Sequence, residues 1–525
     1  MKHLTDHTAK QTSLFRQIDW FTTLVPFLCI LALCAWFVIS PESSTNTISA
    51  IRNFLGDEMG SYYLIIGLGV FVCSLYIAFS RFGKIRLGET DKPLYSGFQW
   101  GSMIFTAGLA ADILFYSCCE WILYASDSHT AEMGTLHEWA ATYPLFHWGP
   151  IPWGFYLVLS AAFGFMLHVR KRTRQKYSEA CRPVLGNKVD GIAGKLIDLI
   201  AVFALLAGTA TTFSLATPLL AGAISSVTGI PQSTGLTLVI LVIVCAIYTF
   251  SVYFGMKGVQ LSAATCTWLF FGLLAYVFFF GGQTRFIIEE GITALGNLTQ
   301  NFIGLATWTD SLRTSSFPQT WTIFYWAYWM VWCVAAPFFI GSISRGRTVR
   351  QTILGGYVFG VGSTLTSFVV LGNYSMGMQV TGKADFIAQY MADGDLYGMI
   401  VSIIKTMPCA PMIMVVVLLT MIAFYATSFD SIALTASCYS YHTLNDGEQP
   451  NKGIQLMWCI LLILLPIALL FAESSMNNLQ SVSIVAAFPI GAVIVMIAVS
   501  FMKDAKKYME SLEDKASVTS RDDHE

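Results

Sequence analysis

Phe317-Pro-Gln-Thr-Trp321-Thr-Ile-Phe-Tyr325-Trp326-Ala-Tyr328-Trp329-Met-Val-Trp332 is an apolar run with six Tyr and Trp residues packed into twelve positions. At ~100° per residue, Trp321, Tyr325, Tyr328, Trp329 and Trp332 fall within an arc of ~100°, with Trp326 outside it. Amphipathic rings usually gather at the two membrane interfaces. This stripe runs about 11 residues at ~1.5 Å each, well into the ~30 Å hydrocarbon. Taken as packing, it is a seam against neighbouring helices. Taken as a site, it is a set of π faces for a cation that cannot donate hydrogen bonds, with roughly 2 kcal/mol available per desolvated contact.

The rest of the chain agrees with a membrane setting. Of its 525 residues, 55% are hydrophobic and only 12% charged, far from the soluble norm. Segments apolar and long enough to span lie near residues 19–40, 61–80, 97–124, 150–168, 196–222, 235–256, 263–282, 320–342, 351–373, 409–438, 455–472 and 482–502. This predicts an all-α polytopic membrane protein with twelve transmembrane helices and both termini on one side. With the N-terminus cytoplasmic, the inner segments hold 25 of the 30 Lys and Arg residues, and the outer ones keep only Arg52, Arg285, Arg313, Lys383 and Lys405. That asymmetry supports the span count and the orientation together, because one missed helix would reverse every later loop.

The first span follows a polar tail, residues 1–18, and has no small-residue cleavage site, so it is expected to stay uncleaved. The transmembrane domain then covers 19–502, and a cytoplasmic tail of mixed charge, 503–525, is expected to form a short solvated helix with a frayed end. Ile287-Ile-Glu-Glu-Gly-Ile-Thr-Ala-Leu295 has an amphipathic pattern and predicts an interfacial helix between two halves of the bundle. The 12 Cys residues sit mostly in apolar spans without metal-type spacing, as inert packing residues do. A net charge of -2 gives no reason to expect a nucleic-acid partner.

Trp321-Thr-Ile-Phe-Tyr-Trp-Ala-Tyr-Trp329 followed by Ile343-Ser-Arg-Gly-Arg-Thr348 resembles the signature helix and following loop of the betaine/choline/carnitine transporters (BCCT). Phe146-His-Trp-Gly-Pro-Ile-Pro-Trp153, Leu215-Ala-Thr-Pro218, Lys257-Gly-Val259 and Phe501-Met-Lys-Asp-Ala-Lys506 match in family order. The resemblance implies a LeuT-like fold: two N-terminal helices, then two inverted five-helix repeats, at about 97–282 and 320–502, with substrate at the midplane between them. It further implies a homotrimer in the lipid of the bacterial inner membrane, importing a quaternary ammonium compound such as choline, glycine betaine or carnitine. No cofactor is implied, and the absence of a nucleotide-binding motif leaves an ion gradient or substrate exchange as the energy source.

By the same resemblance, the substrate cage comprises Tyr328, Trp329 and Trp332, with Tyr325 on the same face and Trp321 as an outer waypoint. The family usually has Trp at the position of Tyr328. Carnitine-type members carry a further aromatic where this chain has Leu123, and Trp121 or Tyr124 is the expected substitute. Gly108-Leu-Ala-Ala-Asp112 aligns with the family's unwound segment. An acid in mid-span costs at least ~2.5 kcal/mol, which marks it as functional; proton-coupled choline transporters resemble this chain in having Asp there, where sodium-coupled members have Gly. Asp112 is therefore the expected proton-coupling site, with a structural acid at an interrupted helix as the alternative. Thr427 and Ser428 resemble hydroxyls that serve a sodium site, although such side chains in membrane helices more often bond backbone. The Arg and Met of sodium-independent exchangers are replaced by Gln260 and Ala336. Sodium symport and substrate antiport stay open as alternatives to proton symport.

Three further polar features are expected to be structural. Glu120, ~80° around the helix from Asp112, need not share its site. His147 is expected at a membrane interface, and Arg345, Arg347 and Arg350 are expected to anchor a cytoplasmic loop. An enzyme acting on a choline or lipid headgroup would need a nucleophile and base or a metal cluster, and the sequence offers neither.

Overall fold

A computed structural model describes residues 16–109, 111–253, 255–445, 448–471 and 476–522. Most of the tail predicted over 1–18, Ala110 of the unwound segment and the last three residues of the chain lie outside them. The described residues are helical throughout, apart from loops and two isolated bridges. In chain order the principal helices are α1 (Trp20–Ile39), α2 (Gly60–Phe79), α3 (Gly97–Gly108), α4 (Asp112–Ala125), α5 (Leu136–His147), α6 (Pro150–Gly164), α7 (Ile192–Thr228), α8 (Thr234–Tyr253), α9 (Met256–Phe280) and α10 (Thr284–Thr307). They continue with α11 (Ile323–Trp332), α12 (Ala336–Ile343), α13 (Val349–Ser367), α14 (Asn373–Val380), α15 (Ala410–Tyr439), α16 (Lys452–Phe471) and α17 (Met476–Asp522).

Eight of the described helical stretches are long and apolar enough to cross a membrane, and two bent pairs raise the number to ten. The pairs are α3 with α4, bent by 62°, and Pro318–Trp332 with α12, bent by 51°. The other two of the twelve predicted segments coincide with α8 and α16, whose described apolar stretches are shorter. The protein is thus a multi-pass, all-helical membrane protein. The amphipathic segment predicted near Ile287 is α10, which packs across α5 and is not itself a candidate span.

Burial separates the centre of the bundle from its rim. The apolar window of the span Leu136–Val169, which contains α5 and α6, is 94% buried, against 25% for α1. Lipid would surround α1, whereas α5 and α6 are enclosed by protein. Close approach there depends on glycine. A Cβ on Gly341 of α12 would lie 2.8 Å from the Ser160 carbonyl oxygen and 2.7 Å from the Gly164 nitrogen of α6, both backbone atoms.

At the end of the bundle rich in Lys and Arg, side chains tie loops to helix ends. The Arg347 guanidinium lies 4.1 Å from the Trp100 ring centroid, and Arg350 Nε donates to the Ala78 carbonyl at 2.8 Å, in keeping with the anchoring expected of that loop. Arg345 instead lines a cavity of about 280 Å3 at this end, with Tyr95, His168, Phe338, Ser342 and Thr435. The C-terminal segment is helical and mostly exposed from Lys506 to Asp514, and its start is tied to the loop before α7. Helix α17 continues unbroken past residue 503, and Asp504 accepts from Arg170 at 2.8 Å and from Arg172 at 3.0 Å. Arg172 also pairs with Glu179 at 2.9 Å. The mixed charge of the tail thus answers the basic loop that precedes α7.

Because the atoms facing Gly341 are backbone and cannot rotate away, Gly341→Ala is expected to lower stability in detergent by about 1–3 kcal/mol, read as a fall in the thermal unfolding midpoint. Gly69→Ala, where nothing lies within 4 Å of the added carbon, is expected to leave that midpoint unchanged.

Candidate substrate site

The two bends define the site, because each exposes backbone carbonyls that no helical N–H reaches. Inside a membrane such groups need protein partners. At the first bend, Leu109 adopts an extended conformation (φ -132°, ψ 140°), ending α3. Ser428 Oγ of α15 donates to the Leu109 carbonyl at 2.9 Å and lies 3.1 Å from that of Thr106. At the second bend, the Tyr439 hydroxyl, also of α15, donates to the Val334 carbonyl at 2.9 Å, and the Tyr177 hydroxyl donates to that of Cys333.

Asp112 begins α4 immediately beyond the first bend, where the helix N-terminus favours a negative side chain. Its carboxylate accepts from the Tyr328 hydroxyl of α11, and that hydroxyl is in turn 2.7 Å from Thr212 Oγ1 of α7. All three residues are buried. The predicted coupling residue and a predicted cage residue are therefore bonded to one another, a pairing that the helical wheel of α11 alone does not show.

A cavity of about 10 Å3 sits at this junction, lined by Gly108, Leu109, Asp112, Trp148, Tyr156, Tyr328, Trp329 and Trp332. Trp329 stands at its centre of packing, with ring centroids 5.5 Å from Trp148, 5.6 Å from Trp153 and 5.0 Å from Tyr156. The Trp153 ring reaches in because Gly108 has no side chain: a Cβ there would lie 2.5 Å from Trp153 Cη2. The indole N–H groups of Trp329 and Trp332 are buried without a hydrogen-bond partner among the described residues. The lining thus combines ring faces, a carboxylate and two available donors. Ring faces and carboxylate suit an organic cation, and the donors suit an oxygen on the same molecule.

The residues expected at the site divide into three groups. Tyr328, Trp329, Trp332 and Asp112 line the cavity together. Tyr325, Tyr124 and Trp321 form a layer above it: Tyr325 packs on Trp148 at 5.8 Å, and Tyr124 meets Trp321 edge-on at 5.1 Å. Trp321 Nε1 lies 3.4 Å from Asp127 Oδ2 and is only half-buried. Trp121 is elsewhere, donating to Ser375 Oγ of α14 at 2.7 Å. Leu123 does not line the cavity either. Thr427 turns its hydroxyl to its own helix, on the Ala423 carbonyl at 3.0 Å, and only Ser428 reaches the first bend.

Trp148, Trp153 and Tyr156 of the second wall carry no site role in the sequence reading. Their signal was present: Pro150 and Pro152 restart a helix at Gly149, and Trp153 and Tyr156 then fall three apart on one face. His147 corrects the interface expectation. It is wholly buried, with Nδ1 2.6 Å from the Tyr124 hydroxyl and Nε2 3.0 Å from Thr322 Oγ1. Its helix starts at Leu136, well before the apolar window that suggested an interface at this point. Among the described residues no group of His, Cys, Asp and Glu could hold a metal ion.

Residues 21–510 match the sequence profile of the BCCT, betaine/carnitine/choline family transporter. The chain is 31% identical to the glycine betaine transporter OpuD of Bacillus subtilis over 497 residues, 92% of this chain and 94% of that one. It is 26% identical to a carnitine transporter of Acinetobacter baumannii over 490 residues, 92% of this chain and 88% of the relative. It is 29% identical to the betaine/ectoine transporter LcoP of Corynebacterium glutamicum over 494 residues, 90% and 76% of the two chains.

If the ring faces carry cation binding, Trp329→Leu and Trp332→Leu are each expected to weaken tetramethylammonium binding about tenfold, equivalent to ~1.4 kcal/mol per face. Trp121→Phe, remote from the cavity, is expected to stay within about twofold of wild type by the same scale. Isothermal titration of the purified protein in detergent checks both.

Proposed function

The chain belongs to the betaine/carnitine/choline transporter family, whose members are transporters and not enzymes, and from that premise we propose that it imports a quaternary ammonium compound of the choline, glycine betaine or carnitine class with protons coupled at Asp112. The observation that carries this reading is the Asp112 carboxylate set into a lining otherwise made of Trp148, Tyr156, Tyr328, Trp329 and Trp332. An alkylated ammonium group offers no N–H, so ring faces and a nearby negative charge are what can stabilise it out of water. The free indole N–H groups of Trp329 and Trp332 would receive the hydroxyl or carboxylate of the substrate.

Asp112 is suited to carry a proton together with the substrate. The proton and the Tyr328 hydroxyl satisfy the carboxyl while the ring faces hold the cation beside it, and both are released together on the far side. Binding of one species then alters affinity for the other, as coupling requires. The bent spans α3–α4 and α11–α12 stand at corresponding places in the two proposed five-helix repeats, about 97–282 and 320–502. They support a twelve-span fold of the inverted-repeat kind. The charge asymmetry of the loops supports cytoplasmic termini. In that orientation the 280 Å3 cavity with Arg345 faces the cytoplasm. A homotrimer in the bacterial inner membrane completes the proposal.

A sodium-coupled cycle is the second reading, favoured by one observation. Ser428 Oγ and the carbonyl oxygens of Thr106 and Leu109 converge within about hydrogen-bond distance, and such oxygens suit a hard cation. The cation would have to displace the hydrogen bond that Ser428 now makes.

In proteoliposomes given a proton gradient, a sodium gradient or only internal substrate, labelled choline, glycine betaine or carnitine is expected to accumulate with the proton gradient alone. Asp112→Asn is expected to abolish that accumulation and keep exchange. Tyr328→Phe, which keeps the ring and removes the hydroxyl, is expected to reduce proton-driven accumulation about tenfold, the scale of one charge-assisted hydrogen bond. Sodium-driven accumulation that survives Asp112→Asn contradicts the reading.

A further inference from the structure

Outward from the site, a second buried carboxylate sits in a chain of hydrogen bonds that the transport reading does not use. Trp148 Nε1 donates to Glu120 Oε2 at 2.8 Å, and the Tyr124 hydroxyl donates to Glu120 Oε1 at 2.5 Å. His147 Nδ1 is 2.6 Å from the same Tyr124 oxygen, and His147 Nε2 is 3.0 Å from Thr322 Oγ1. Glu120 and His147 are wholly buried and 4.0 Å apart. The chain joins α4, α5 and the π-helical turn that begins the aromatic helix at Pro318–Thr322. It lies across the end of the site opposite the Arg345 cavity, beneath Trp321 and Phe317.

The protonation of the chain follows from that of Glu120. With Glu120 ionised, the Tyr124 hydroxyl donates to it and His147 Nδ1 donates to the Tyr124 oxygen. With His147 otherwise neutral, the chain carries one negative charge. Among the described residues no Lys or Arg pairs with Glu120. The other titratable groups facing it are neutral: Tyr116 and Cys119 on its own helix, Tyr143 stacked on His147 at 5.7 Å, and Tyr325 stacked on it at 4.8 Å. Beyond these, Tyr390 and Tyr397 face Cys119, Asp127 and His129 lie toward Tyr143, and Asp112 lies two turns along the helix toward the site. A lone buried charge in a membrane protein is costly. One added proton makes every group neutral and leaves every bond made: Glu120 donates to the Tyr124 oxygen, the Tyr124 hydroxyl to His147 Nδ1, and His147 Nε2 to Thr322.

We infer that Glu120, Tyr124 and His147 form a proton-held latch that closes the outer end of the substrate site. This rests on the transport reading for its orientation. The closed arrangement binds one proton more tightly than the open one. On opening, Glu120 and His147 meet water, the proton on the Glu120 carboxyl passes to that water, and the carboxylate and neutral imidazole are left hydrated. Lower pH therefore favours closure, and rising pH favours opening. Trp148 lines the site and bonds to Glu120, so a seated substrate and the latch share one side chain. These residues are positioning residues; Asp112 keeps the coupling role.

Two measurements test the latch. The first is substrate exchange in proteoliposomes at equal internal and external pH, with Asp112→Asn as the background. Its rate is expected to change roughly threefold or more between pH 6 and 8, and to become flat when Glu120→Gln is added. Tyr124→Phe, which keeps the ring but separates carboxylate from imidazole, is expected to move the midpoint of that profile without abolishing exchange. The second needs no substrate: hydrogen–deuterium exchange of residues 117–127 and 143–149, corrected for intrinsic rate, is expected to rise with pH in the wild type and not in Glu120→Gln. A profile that Glu120→Gln and Tyr124→Phe leave unchanged, or one already flat in Asp112→Asn, overturns the latch. So does pH-independent hydrogen exchange in the wild type, which decides the matter if Glu120→Gln fails to fold. Absence of quaternary ammonium transport in the wild type, with pH-dependent hydrogen exchange preserved, sinks the transport reading and retains the latch.

Discussion

A helix interrupted inside a membrane frees carbonyl groups that water cannot reach, and much of this structure follows from how that debt is met. Helix α15 answers both interruptions. Ser428 donates to the end of α3, and eleven residues later Tyr439 donates to the turn between α11 and α12. With those carbonyls held, the chain can present Asp112 at a helix start and Trp332 at a helix end, both in the lining of one cavity. A straight helix at either place would satisfy its own backbone and offer no such junction. The hydroxyl-rich stretch of α15 is therefore a structural requirement first, whichever ion moves with substrate.

Small residues serve the same junction from outside. Gly341 lets α12 lie against the backbone of α6, and Gly108 admits the edge of Trp153. Between a water-excluding membrane and glycine-lined contacts, large rings can be brought together with few polar atoms to satisfy. The cost appears in the indole N–H groups left without a partner, on Trp153, Trp326, Trp329 and Trp332. Trp329 and Trp332 are also residues of the cavity lining.

The sequence made some of this legible and concealed the rest for identifiable reasons. Hydropathy located helices at all twelve predicted segments, and the wheel of α11 separated Tyr328, Trp329 and Trp332 from Trp326, whose ring packs on Phe146 at 5.2 Å. One helix, however, displays only one wall. Trp148 comes from the end of α5 and Tyr156 from α6, and nothing in the periodicity of either says that it faces α11. Trp121 was expected at the cage, but α4 leaves the bend at an angle and carries it to Ser375. His147 was misplaced because apolar windows find where a span is hydrophobic, and an enclosed helix such as α5 begins before its hydrophobic stretch does. The contacts at the start of the tail were hidden for a related reason: a hydropathy scale marks Asp504 only as polar and cannot show that Arg170 lies against it and Tyr508.

The size of the central cavity has a further meaning. A volume of about 10 Å3 accommodates at most about one water molecule. Among the described residues, the junction of Trp148, Tyr156 and Trp329 leaves no room for a file of water, and a transporter constricted in this way keeps small ions from leaking through its substrate site.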